Sequence, residues 1–358
     1  MLQMKTTKLQ EMLARAIKGA GNNKLVPITN LLALELKDGQ LIITTTDGSN
    51  YLYVRDKVEG DDFYVCVPIE KFPKLIARLT CEDVTLDLKE SYLEVVGNGT
   101  YQIDFQLDED TGEMVKFPNP TENIKLSENN KIGTLALTTV KTILNVVRPS
   151  LADTMKSPQY ANYYVGDAIT ATDTFKISSL AVNIFAEPKL IAAETMDLLD
   201  TIIDDTIDIY GEDDKVVFLS EHGTVFGYTP GNIQTYAIGA IRNYLNKEYP
   251  STCKVSKVEL LQLLDRISLF VDYLDNDVIN IAFEQDGLSI SSSKSNGAEK
   301  IPYIECNNFA ECSGQVLLER LRTQIKSQTG DAITMQFGDE KSIKMIDGNA
   351  TLVVALGE

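Results

Sequence analysis

The order of apolar and polar residues divides the chain into a repeating series. Three segments carry apolar residues at i, i+3, i+4 and i+7: Leu9, Met12, Leu13 and Ala16; Val140, Ile143, Leu144 and Val147; Leu260, Leu263, Leu264 and Ile267. That spacing gathers four side chains on one side and predicts an amphipathic helix laid on a core. After each helix, period-2 alternation predicts a β-hairpin. The first runs Leu32, Leu34, Leu36, a turn at Asp38-Gly39, then Leu41 and Ile43. The second runs Tyr163, Val165, a turn at Gly166-Asp167, then Ile169 and Ala171. The third runs Ile279, Ile281, Phe283, a turn at Asp286-Gly287, then Leu288 and Ile290. Asp-Gly between such runs favours a tight hairpin, because glycine reaches positive φ without steric penalty.

A second half-unit recurs as well. Helical stretches through Ile76-Ala77-Arg78-Leu79, Leu199 and Leu321 lead into strands that open at Asp83, Asp205 and Asp331. Every feature returns after roughly 120–130 residues, the mark of an internal repeat. The pattern predicts an α+β chain built from three copies of one unit, each with two helices and antiparallel sheets. Pro-containing joints at Phe117-Pro118-Asn119-Pro120 and Tyr249-Pro250-Ser251 set domains at residues 1–119, 120–250 and 251–358.

Composition narrows the class. Over 358 residues, 33 Lys and Arg face 52 Asp and Glu, a net charge of −19. Such a surface repels nucleic acid unless its basic residues are concentrated in one place. They are. Lys8, Arg15 and Lys18 lie away from the apolar stripe of the first helix, and Lys71, Lys74 and Arg78 repeat the arrangement in the second. Lys141 and Arg148 follow in the second copy, then Lys257 and Arg266, and Arg320, Arg322 and Lys326 in the third. If these helices share one side, they form a basic lining inside an acidic shell. One helix departs: Glu194, Asp197, Asp200 and Asp204 make the second helix of copy two acidic.

No run of about 18 apolar residues predicts a membrane span, and the N-terminus lacks the unbroken apolar stretch of a secretory signal. Cys66, Cys81, Cys253, Cys306 and Cys312 are scattered without a CxxC pair, which suits a reducing cytoplasm and predicts neither zinc nor disulfides. The single histidine, His222, sits in a turn-like Ser-Glu-His-Gly stretch. Gly19-Ala20-Gly21-Asn22-Asn23-Lys24 follows a helix instead of a strand, so its glycines read as a helix C-cap, not as a phosphate loop. The acidic clusters Asp108-Glu109-Asp110, Asp204-Asp205 and Glu212-Asp213-Asp214 lack ligand spacing and read as solvated turns. Nothing demands catalysis, a metal or a cofactor. Two rivals keep a distinct footprint: an acidic scaffold indifferent to DNA, and a metal-dependent hydrolase whose activity would vanish when Asp213 and Asp214 become Asn.

The ordered set of features resembles the bacterial DNA polymerase III beta subunit, the replicative sliding clamp. Ala171-Thr172-Asp173-Thr174-Phe175-Lys176-Ile177 is similar to the family's ATDGHRL segment, and Phe117-Pro118-Asn119 to its first interdomain joint. Arg242 to Pro250 is similar to FPDYRRVLP with one residue added, and the chain ends in VVALGE where the family ends in VVMPMRL. The resemblance implies three clamp domains per chain, a head-to-tail dimer and a six-domain ring whose helices line a hole holding duplex DNA. It places Lys24 and Lys156 on loops beside those helices. It implies a dimer edge at Phe105 and Leu107 meeting Leu269 and Phe270. It also implies an apolar groove for partner peptides at Ala161, Thr172, Thr174, Phe175, Lys176, Ile177, Tyr244, Val354, Ala355 and Leu356. The implied partners are a DNA polymerase, a clamp loader and other proteins bearing a clamp-binding motif. Thr174-Phe175-Lys176 in place of Gly-His-Arg points to a different peptide preference, as in a divergent or phage-type clamp.

Overall fold

The computed structural model describes all residues except 22, 24, 109–110, 123, 125, 186, 272–276, 295, 339–340 and 358. The chain gathers into two compact units, residues 1–140 with 194–229 and residues 141–193 with 230–358.

In the first unit, helix α1 (Thr6–Ala16) buries Leu9, Met12, Leu13 and Ala16, the four residues of the apolar stripe. It packs beside helix α2 (Phe72–Ile76), a short helix with Pro73 in its first turn. Both lie on an eight-stranded antiparallel sheet and a four-stranded one. The larger sheet holds the predicted first hairpin, Leu31–Lys37 with Gln40–Thr46, closed by Asp38 and Gly39 at φ 51° and 73°. Leu32, Leu34, Leu36, Leu41, Ile43 and Val54 point to one side and are almost completely buried. Tyr51–Lys57 then pairs with Gly223–Tyr228, so strands from the first and second repeats share one sheet. Helix α3 (Leu137–Thr142) begins in this unit, and α4 (Ala193–Leu198) opens the returning segment.

The second unit has the same logic. Its nine-stranded sheet pairs Lys176–Leu180 from the second repeat with Ala350–Ala355 from the third. Helix α5 (Ile238–Leu245) covers that junction, while α6 (Lys257–Ile267) packs beside α7 (Leu318–Ser327). Ser256 caps α6 by accepting from the Glu259 N–H at 3.3 Å.

Several details depart from the sequence pattern, each for a physical reason. Seven α-helices occur among the described residues where six were expected, α5 being the addition. The continuation of α3 widens into a π-turn at Ile143–Val147, which turns Val146 into the core and leaves Leu144 only half-buried. Gly19 and Gly21 have no positive φ. A Cβ at Gly19 would meet Leu52 Cβ at 2.5 Å, so this glycine permits close packing and is not a left-handed cap. Gly287 likewise avoids Ile301 O, only 2.4 Å from a built Cβ, instead of supplying a positive-φ turn.

Candidate functional site

The basic residues of the helices fall into two classes. Some are engaged within the fold. Lys8 pairs with Asp56 at 2.8 Å and Lys18 with Asp200 at 3.2 Å, the latter on the acidic helix segment. Arg15 is half-buried, donating Nε to Thr201 O at 2.7 Å and Nη2 to His222 O at 2.8 Å; burial lowers its pKa. Lys257 donates to Lys326 O and Gln328 O, capping the C-terminus of α7. Arg266 grips Glu299 through two hydrogen bonds, and Arg322 donates to Leu264 O at 3.1 Å while pairing with Asp265 and Glu319. Arg320 places its guanidinium carbon over the Phe175 ring, 3.6 Å from the centroid.

The others point outward. Lys71, Lys74 and Arg78, on or just beside α2, are exposed, as are Lys141, Arg148, Lys156 and Lys326. Lys24 lies outside the described residues. The exposed cations are thus fewer than the sequence suggests, because long amphipathic side chains at helix ends find carbonyls and carboxylates close by.

His222 occupies the hairpin turn between Lys215–Leu219 and Gly223–Tyr228, as its sequence context predicts. Its Nδ1 lies 2.6 Å from Asp204 Oδ1, and its backbone N–H donates to Asp204 Oδ2 at 2.9 Å. Burial raises the Asp204 pKa, but the bonds from the His222 ring, Ser220 and the His222 backbone outweigh it, and the net shift is downward.

In the second unit, Thr172, Ile177 and Val354 are buried, as is Ala161 at the end of the turn Pro158–Ala161. Phe175 and Tyr244 are exposed above them. Ala355 N donates to Phe175 O at 2.8 Å, and Leu356 packs against Gly314. Lys176 does not present a cation: it is buried, donates to Pro149 O at 2.6 Å and lies 3.6 Å from Asp173. Burial lowers its pKa.

The turn that carries Thr174 recurs elsewhere, which sequence reading missed. Thr172 Oγ1 donates to Lys176 O at 2.7 Å and accepts from Thr174 N at 3.0 Å, while Phe175 and Lys176 N–H donate to Asp173 Oδ1 at 2.9 and 2.7 Å. In the first unit, Thr46 Oγ1 donates to Asn50 O at 2.6 Å and accepts from Gly48 N at 3.0 Å, while Ser49 and Asn50 N–H donate to Asp47 Oδ1 at 2.8 and 2.6 Å. The signal was available: Thr46-Asp47-Gly48 precedes Thr172-Asp173-Thr174 by the repeat interval.

Each four-stranded sheet has an open edge. Thr100–Asp104 pairs only with Tyr92–Val96, and Ala298–Pro302 only with Gly287–Ser292, among the described residues. Leu107 lies beyond the first edge, 45% exposed, and Phe105 is half-buried. Beside the second edge, Leu269 is 80% and Phe270 51% exposed, and the Phe270 ring lies over Gly297.

With this geometry in hand, comparison with known proteins is specific. Residues 1–119 match the family of the DNA polymerase III beta subunit, N-terminal domain. No curated protein sequence matches the chain. Among solved structures, the DNA polymerase III subunit beta from Borrelia burgdorferi superposes with a TM-score of 0.84 at 17% identity, over 100% of this chain and 99% of that one. The DNA polymerase sliding clamp from Bacillus subtilis gives 0.82 at 16%, over 100% and 98%. The beta subunit from Thermotoga maritima gives 0.80 at 15%, over 100% and 99%. The whole chain therefore has the α+β fold of the sliding clamps.

Proposed function

We propose that this chain is a DNA sliding clamp: a processivity factor that encircles duplex DNA and tethers a DNA polymerase, with no reaction of its own. The observation that carries the reading is the end-to-end match to clamp structures, joined to the family match of the first 119 residues. The domains run 1–119, 120–250 and 251–358, and two chains close head to tail into a six-domain ring. The open edges at Thr100–Asp104 and Ala298–Pro302 support this closure, since unpaired strand edges flanked by exposed apolar side chains are templates for pairing. DNA is held topologically, so a few exposed cations on the inner helices suffice for weak, sequence-independent attraction that permits sliding. The groove between the last two domains takes partner peptides from the polymerase, the clamp loader and other clamp-binding proteins. The site of action is the cytoplasm. No helix among the described residues is long and apolar enough to cross a membrane.

Light scattering on a sizing column tests the assembly. The reading expects twice the chain mass, falling to one chain mass when Leu107 and Phe270 become Asp. A monomer at tens of micromolar, unchanged by those substitutions, favours the DNA-indifferent scaffold.

A further inference from the structure

The five cysteines are scattered along the sequence, yet the second unit sets two of them face to face. Strand Ser251–Ser256 pairs antiparallel with the three-residue strand Glu305–Asn307, and the register places Cys253 directly opposite Cys306. Their neighbours fix which face the two thiols share. Lys254 and Glu305, also opposite one another, are exposed and joined by an ion pair at 3.0 Å, so they take the outer face. Cys253 and Cys306 therefore point together to the inner one, where Cys253 is almost fully buried. The Tyr303 hydroxyl, whose pKa is raised by burial and then by these two thiols, lies in the same pocket.

Directly opposed residues of an antiparallel pair stand about 4.5–5.5 Å apart at Cα, within the roughly 4.4–6.8 Å that a disulfide spans. Their Cβ atoms need draw together by only about 1 Å. The strand of Cys306 has room for that movement. It lies at the edge of the nine-stranded sheet, with no further strand beyond it among the described residues. The open edge leaves Cys306 partly exposed, whereas Cys253 is enclosed between Cys306 and the buried Met335. Among the described residues no other strand pair opposes two cysteines: Cys66 stands opposite Ala33, Cys312 opposite Phe283, and Cys81 lies outside any strand.

We propose that Cys253 and Cys306 form a reversible cross-strand disulfide when the chain meets a peroxide, fastening the edge strand Glu305–Asn307 to the sheet. Cys306, the accessible thiol, is oxidised first: its sulfur takes one oxygen from hydrogen peroxide, giving a sulfenic acid and releasing water. The Cys253 thiol then attacks that sulfur. The S–S bond forms, the S–O bond breaks, and the thiol proton leaves with the hydroxyl as a second water. Two thiols and one peroxide thus become one disulfide and two waters, and a dithiol reductant reverses the change. Burial raises the pKa of both thiols, that of Cys253 to about 12, so the first step is slow at neutral pH and quickens as pH rises. The second step is intramolecular and already aligned by the register. Cytosolic disulfides of this kind are transient and redox-sensing. This one anchors the corner through which the chain leaves the open edge Ala298–Pro302.

In the test, the full chain is treated with hydrogen peroxide, capped with N-ethylmaleimide, digested and read by mass spectrometry. The result expected is one linkage, Cys253 to Cys306, with two of the five thiols lost and both restored by dithiothreitol. Native-state hydrogen exchange of the Glu305–Asn307 amides should then slow at least about tenfold. In Cys306→Ser the linkage is absent and Cys253 stays a thiol. In Cys253→Ser, Cys306 stops at the sulfenic acid and is trapped by dimedone. Survival of all five thiols at a peroxide dose that oxidises the chain unfolded in urea overturns the proposal, as does a linkage between any other pair. A mixture of linkages no different from that of the unfolded chain overturns it equally. If a serine variant does not fold, the linkage map of the unaltered chain decides alone.

Discussion

Thr174 stands at φ 79°, a left-handed conformation that β-branched residues avoid, whereas the matching position of the equivalent turn is Gly48 at φ 99°. Around them the two turns make the same four hydrogen bonds with nearly the same lengths. Thr174 is exposed, so its side chain adds little by packing. The left-handed region costs an L-residue about 1–2 kcal/mol. Glycine returns about 0.4–1 kcal/mol of this through the larger entropy of the unfolded chain. Thr174→Gly is therefore expected to stabilise the second unit by about 0.5–1 kcal/mol, and Gly48→Thr to destabilise the first by about as much. A Cβ at Gly48 has room, with Thr29 Cγ2 at 3.8 Å, so backbone conformation alone sets the sign there. Because the turns lie in separate units, the assay is native-state hydrogen exchange read segment by segment. Amides of Lys176–Leu180 should slow by about two- to fivefold in Thr174→Gly, and those of Tyr51–Lys57 should quicken by a similar factor in Gly48→Thr. Faster exchange in Thr174→Gly, with Gly48→Thr unchanged, would refute the idea that the two turns are one device differing only in strain.

Two further predictions concern polar groups inside the units. Gln324 is fully buried, donating to Ser150 Oγ and accepting from Ser178 Oγ at 3.3 Å; Gln324→Leu should lower the unfolding free energy by about 1–2 kcal/mol in urea titration, most of it recovered when both serines also become Ala. Asp204 has a carboxyl pKa held below its ordinary value, so its contribution is present above about pH 4 and is lost as pH falls through the folded-state value. Asp204→Asn should consequently cost about 1 kcal/mol at pH 7, with the two stability curves converging in acid as pH falls through the depressed folded-state value.

The helices and hairpins were legible because their signals are local. The stripe of Leu9, Met12, Leu13 and Ala16 is buried as spaced, and the turn at Asp38-Gly39 closes the hairpin its residues predict. The junctions were not. Alternation in Tyr51–Lys57 says which residues face inward but cannot say that its outer partner is Gly223–Tyr228, well over a hundred residues away. The basic helix faces were legible as charge but not as availability. Arg15 resembles Lys71 in sequence, yet its guanidinium is drawn to the carbonyls of Thr201 and His222 while Lys71 stays in solvent. Lys176 differs from the rim cation its place in the motif implies because Pro149 O lies within reach of its buried ammonium.

The proposed ring holds DNA by topology, and retention on circular DNA is its sharpest test. The chain is incubated with its loader, ATP and a nicked circular duplex, then passed over a sizing column in about 1 M salt, where phosphate contacts are screened to a Debye length of about 3 Å. A closed ring stays with the circle and is released when a single cut makes the DNA linear. Release by salt alone, or equal retention on circular and linear DNA, would show that contacts and not a closed ring hold it, and would contradict the account.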